Sequence, residues 1–307
     1  MAVIEPPVPR SSAVASEAGK GVMLAIAAYG LWAFYGLFFK QFSAIDPLEV
    51  VAQRGFWSVP VAGVILFAMG RTGDIVRAFT TPRLMAMLFC SSLMVAISWG
   101  FFVWAIGVGR TLETSLGYFI NPLLSVLIGA VLLGERLTLV QTCAVGLATV
   151  AVVIQTLVVG VFPWLALTLA GSFAAYGYLR KTIDVGPVQG FFVEAVLLSV
   201  VGAGIMVWVS AQDRASFGGS GRDTFLLIAC GPMTAAPLML FAAAARRVRL
   251  ATIGMLQYIA PTGLFLTAVF VFGEPLDAAR LSSFALIWTA LALYSFEAWR
   301  LDRQTRR

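Results

Sequence analysis

Long apolar runs alternate along this chain with short polar breaks, and the runs set the expected elements. Read between charges and turn residues, ten of them stand at 22–39, 49–69, 84–106, 112–133, 138–155, 162–179, 190–209, 224–245, 251–272 and 280–299. Each is close to the about 20 apolar residues that carry a helix across a bilayer. Stretches such as LLSVLIGAVLLG have no period-2 alternation, which argues against membrane β-strands. The pattern predicts an all-α integral membrane protein with ten transmembrane helices. The longest polar gaps, residues 1–20, 70–83 and 210–223, leave no room for a soluble domain.

The second half of the chain repeats the first. Gly30, Ala33, Tyr35, Gly36 and Lys40 recur 141 residues later as Gly171, Ala174, Tyr176, Gly177 and Lys181. Arg110, Ile120, Pro122, Gly134 and Glu135 recur 139 residues later as Arg249, Ile259, Pro261, Gly273 and Glu274. The copies run over 21–156 and 162–300, five spans each. Residues 1–20 are expected to be a disordered cytoplasmic arm and 301–307 a basic cytoplasmic tail. Five is odd, so the second copy enters the membrane in the opposite sense to the first. Inverted repeats are the sequence mark of secondary transporters, whose binding site lies where the halves meet.

Composition agrees with the spans. The 307 residues are 60% hydrophobic and 12% charged, against about 25% charged in soluble domains. The net charge of +6 would suit an acidic partner, but its distribution gives it another role. With the N-terminus inside, fifteen Lys/Arg fall on the inner side; Lys40, Arg110, Arg214, Arg222 and Arg280 fall outside, and Arg54 lies within a span. The positive-inside rule therefore predicts both termini in the cytoplasm, in a bacterial inner membrane. Nucleic acid is not an expected partner. Cys90, Cys143 and Cys230 stand singly in apolar runs as packing residues. The chain has no histidine and no phosphate-loop motif. Neither an enzyme, a cofactor nor a metal site is expected.

Candidate chemistry concentrates in the fourth and ninth runs, SLGYFINP and GMLQYIAP. Proline inside a helix frees the carbonyl four residues earlier, here those of Tyr118 and Gln257. Pro122 and Pro261 both lie about 15 Å into their spans, near the midplane. A carbonyl freed there must face protein, water or a ligand. Tyr118, Asn121, Gln257 and Tyr258 add polar groups beside the two prolines. The pair reads as a substrate site or, alternatively, as kinks whose polar groups only join helices. Among the aromatics, Tyr35 and its mate Tyr176 are candidates because the repeat pairs them beside glycines, and Trp99 because aromatic walls suit organic solutes. Charge inside a span is costly and marks function. Arg54 either binds an anionic group or snorkels to the outer interface. Glu194, whose repeat mate is Gln53, either carries a coupling proton or pairs with Arg180 or Lys181. Glu113 is expected to cap the fourth span, and Glu135 and Glu274 to be turn residues at span ends.

At these residues the chain resembles a known family. SLGYFINPL followed by LGER, AAYGYLRK, and RLATIGMLQYIAPT followed by GEP are similar to the RarD branch of the EamA transporters, in the drug/metabolite transporter superfamily, over residues 20 to 300. The resemblance implies two EamA repeats, export or exchange of small metabolites or drugs, and roles for Tyr118, Asn121, Pro122, Gln257, Tyr258, Pro261, Tyr176, Gly177, Arg180 and Lys181. Two places depart from the family pattern: Gln53 precedes Arg54 where histidine is frequent, and Ser98 precedes Trp99 where asparagine is. The function expected is secondary transport by alternating access. A non-transporting membrane sensor or assembly protein that reuses the fold is the alternative. Expected partners are the lipid bilayer and a small-molecule substrate, with protons as candidate coupling ion and a homodimer to be tested.

Overall fold

A computed structural model describes residues 11–305 except 71, 108–109, 161 and 272–277. The expected Gly273 and Glu274 turn therefore lies outside the described residues, as do the side chains of Glu113 and Ser115. Every described element is helical. In chain order these are α1 (Ser11–Ala33), α2 (Tyr35–Phe39), a 3₁₀ turn (Lys40–Phe42), α3 (Pro47–Ala68), α4 (Gly73–Thr80), α5 (Pro82–Gly107) and α6 (Thr111–Leu132). They continue as α7 (Leu139–Val159), α8 (Trp164–Thr182), α9 (Pro187–Ser210), α10 (Gly221–Ala245), α11 (Leu250–Leu256), α12 (Ile259–Phe270) and α13 (Ala278–Thr305).

A helix falls on each of the ten apolar runs. Among the described residues, eight segments are long and apolar enough to cross a membrane, and Leu116–Leu132 is a shorter apolar helix. The helix α8 carries Arg180 and Lys181 in its last turn. Two details differ from the sequence reading. Residues 11–20, expected in the disordered arm, are helical, and the 70–83 gap holds the short helix α4. Large apolar side chains such as Phe67 (82% exposed) and Phe270 (78%) point away from the bundle. That is the surface a lipid environment requires and an aqueous one penalises.

Helix ends follow from local chemistry. In α3, Asp46 accepts from the Leu48 amide at 2.8 Å and Pro47 takes the first helical position, where no N–H is needed. Thr138 and Gln141 form a reciprocal capping box at the start of α7. The ninth run breaks at Gln257 and Tyr258. There Tyr258 N–H reaches back only to the Met255 carbonyl, and Ala260 N–H takes the Gln257 carbonyl at 3.2 Å. The carbonyl that Pro261 frees is thus satisfied by a tightened turn rather than left open. This corrects the expectation for Gln257.

The packing respects the internal repeat. The helix α3 packs on its repeat counterpart α9, α7 on α13, and α6 on α11. Likewise α1 against α10 is answered by α8 against α5, and α3 against α10 by α9 against α5. One close approach lies between the two proline segments: a Cβ on Gly254 would sit 2.6 Å from the Pro122 carbonyl oxygen. Only glycine lets α11 cross α6 at that depth.

Candidate functional site

A cavity of about 580 Å³ lies between the halves, in the size range of sites for small organic ligands. It runs from the α2–α3 connection (Phe42, Ser43, Ile45, Pro47) down to Gly117, Tyr118, Asn121, Gln257 and Pro261. It therefore opens toward the end that carries Lys40, and its floor is the crossing of α6 with α11.

Much of the wall is aromatic: Trp32, Tyr35, Phe39, Trp99, Phe102, Tyr118 and Phe173. Trp32 and Phe173 are mates at the 141-residue offset, and they meet edge-on at 5.7 Å. Tyr35 has spent its hydroxyl by donating to the Met233 carbonyl of α10. Pro237, four residues further along α10, has no N–H to give that carbonyl. Tyr35 thus presents its ring rather than its hydroxyl.

Arg54 is the charged side chain on this wall among the described residues. Its Nε donates to Thr234 Oγ1 at 3.0 Å. Its guanidinium carbon lies 4.4 Å from the centre of the Trp99 ring and 5.1 Å from that of Phe39. The side chain lines the cavity. Tyr118 is 42% exposed although it lies deep in the bundle, because its ring faces the open cavity. Asn121 and Gln257 are 6% and 8% exposed, and neither Asn121 Oδ1 nor Gln257 Oε1 has a partner.

Four expected site residues are off the wall. Pro122 lies at the helix crossing. Tyr258 is fully buried and its hydroxyl donates to the Phe119 carbonyl at 3.1 Å, so it ties the second repeat to α6. Tyr258→Phe is expected to lose about 1 kcal/mol of stability with ligand affinity unchanged; a thermal melt and a binding titration on one preparation check this. Tyr176 is also fully buried, stacked on Phe241 at 5.8 Å, with its hydroxyl 3.4 Å from Glu194 Oε2.

Glu194 is paired rather than free. Its Oε1 accepts from Ser91 Oγ at 2.6 Å and from Arg180 Nη1 at 3.2 Å. Arg180 also donates to the Pro187 carbonyl at 2.9 Å. Gly190 makes room for this guanidinium, since a Cβ there would lie 2.2 Å from Nη1. Of the sequence candidates, then, Tyr35, Arg54, Trp99, Tyr118, Asn121, Gln257 and Pro261 share one cavity. Thr234 and Phe173 join them without having been singled out. The repeat offset from Trp32 points to Phe173, whereas Thr234 has no signal: its counterpart 139 residues earlier is the apolar Val95.

At the opposite end the halves are stitched shut. The Glu135 carboxylate accepts from the Leu250 and Ala251 amides at 2.6 and 2.9 Å, so it caps α11 across the repeat boundary and is more than a turn residue. Lys181 lies 4.0 Å from Glu135 and donates to the Ala245 and Val248 carbonyls. Arg249 donates to the Arg136 carbonyl across the halves, while Arg246 donates to that of Val185 within the second half. At the rim, Arg77 pairs with Asp184 at 2.8 Å, and the guanidinium holds that carboxyl below the usual carboxylate range. Both partners are exposed, so the pair adds little stability.

The EamA-like transporter family model matches residues 19–157. RarD of Escherichia coli is 38% identical over 295 residues, 95% of this chain and 99% of its own length. The chain belongs to the EamA-like transporter family. Its likeness to RarD places it in the RarD branch. An uncharacterized transporter of Pseudomonas aeruginosa is 39% identical over 93% of this chain and 96% of its own. A solved crystal structure at 20% identity aligns with a TM-score of 0.71 over 91% of this chain and 98% of that one, which shows a shared fold. The RarD-branch chain is accordingly a multi-pass membrane protein.

Proposed function

We propose that this protein is an inner-membrane secondary transporter, an exporter or exchanger of small organic metabolites or drugs, working by alternating access between two inverted five-helix repeats. The observation that carries the reading is a mid-depth cavity open at one end, with the other end closed by contacts between the halves. Swapping the repeats interchanges the packed helix pairs, which gives the bundle a second, related packing open to the other side. By the distribution of basic residues the open end is periplasmic, the stitched end cytoplasmic, and both termini are inside. Phe34, where α1 gives way to α2, and Gln257 are the places where helix backbone is already interrupted and a change of packing costs least.

A non-transporting sensor or assembly protein would be supported by a dry, occluded centre with Tyr118 and Gln257 spent on helix-to-helix hydrogen bonds. The observed cavity is open, and the Gln257 side-chain oxygen is unpartnered, so the carrier reading is favoured. No aspartate or glutamate is on the cavity wall among the described residues. Among the described residues, the carrier proposed here therefore offers its solute a guanidinium and neutral polar groups rather than a carboxylate.

Purified protein in liposomes, offered a broad panel of amino acids, metabolites and drugs under imposed gradients, tests the proposal. Accumulation or counterflow of at least one class is expected. Failure of every compound under every gradient overturns it.

A further inference from the structure

We infer that the cavity selects small organic anions: a carboxylate, or a group of the same charge and shape, on a flat apolar body that also carries a hydrogen-bond donor. The inference rests on the transport reading for the use of the cavity, but the ligand class is argued from the wall itself.

Arg54 brings a permanent positive charge into a wall that is otherwise uncharged among the described residues. A charge inside a membrane bundle is kept only where it is compensated or functional. No carboxylate lies within ion-pair distance of Arg54 among the described residues, and its protein hydrogen bond is to a neutral hydroxyl through Nε. Trp99 and Phe39 hold the guanidinium face and orient it. The terminal Nη groups are left for an acceptor from outside the protein. Their forked geometry fits a carboxylate with two parallel bonds. The same charge repels an organic cation, and the two aromatic faces nearest to it, those of Trp99 and Phe39, are already occupied by Arg54.

A second observation is independent of the first. Asn121 and Gln257 are both more than nine-tenths buried, and their side-chain oxygens have no partner. Both line the same cavity. Each oxygen is shielded as the side chains stand, so a ligand's donor meets it once the amide turns toward the cavity; a buried acceptor left unmade is costly, and that turn recovers the cost. Acceptors want an N–H or O–H, hence the donor on the ligand. The aromatic rings between these groups and Arg54 suit a planar body.

A matched set of probes with one skeleton tests this by binding to the detergent-purified protein: 4-hydroxyphenylacetate, phenylacetate, the neutral alcohol tyrosol and the amine tyramine. The expected order is 4-hydroxyphenylacetate, then phenylacetate, then tyrosol, with tyramine weakest. Arg54→Gln should weaken 4-hydroxyphenylacetate by about tenfold or more and bring it level with tyrosol, while Arg54→Lys should keep part of the preference for the acid. Tyramine binding as well as the acid, or an acid-to-alcohol ratio unchanged in Arg54→Gln, overturns the inference. If that variant does not fold, the order of the four probes on the unaltered protein decides. Binding with this charge preference but no flux in liposomes would defeat the transporter reading and leave the ligand class standing. Flux of cations alone would do the reverse.

Discussion

Arg180→Met is expected to destabilise the protein by about 3–5 kcal/mol, the cost of leaving a buried carboxylate without its counter-charge. Arg180 and Glu194 are 1% and 3% exposed, so no solvent reaches either group to replace the lost partner. Ser91 and Tyr176 alone would face the Glu194 charge. The double variant Arg180→Met with Glu194→Gln removes both charges and should recover most of the loss. Gly190→Ala should act like a milder Arg180 variant, because its methyl would intrude on the guanidinium. Thermal unfolding in one detergent separates the cases. Equal midpoints for the single and double variants would mean that the pair is not what holds α8 and α9 to α5.

Glu135→Ala is expected to open the stitched end. Two backbone amides of α11 and the Lys181 ammonium share this carboxylate. Hydrogen bonds to a charged group are worth about 1.5–3 kcal/mol each, and losing two shifts a two-state equilibrium by about a hundredfold or more. In a protein whose Cys90, Cys143 and Cys230 have been replaced, a cysteine at the buried position Val248 reports the change through its rate of reaction with a water-soluble thiol reagent. That rate should rise by about the same factor, with the melting behaviour of the Val248→Cys parent largely kept. An unchanged rate in a folded variant would remove Glu135 from the closure.

The candidate site is partly legible in the sequence. Arg54 could be chosen because charge inside an apolar run is rare for a physical reason, and Tyr118, Asn121, Gln257 and Pro261 because proline interrupts backbone bonding at a known place. Tyr176, picked out by its repeat pairing with Tyr35, and Tyr258, picked out by its place beside Pro261, are fully buried struts. Their hydroxyls bond within the protein, one toward Glu194 and one to the Phe119 carbonyl. Nothing local separates Tyr258 from Tyr118, which also stands a few residues before a proline and faces the cavity. Thr234 was silent because a hydroxyl in a spanning helix most often bonds its own backbone; its role exists only because α3 brings Arg54 beside it.

By itself the sequence determined the helical class, the position of each apolar segment and the duplication. A bilayer forces every backbone group to be satisfied within its own segment, so length and apolarity are read locally and survive any rearrangement of neighbours. The direction in which each helix faces was a matter for the tertiary structure. In a soluble protein a helix is apolar on one side and polar on the other. Here the lipid side and the core side are equally apolar, so the periodicity that would aim a residue is absent. Only the packing of α3 on α10 and of α11 on α6 turned Arg54 and Gln257 toward a common space and Tyr258 away from it.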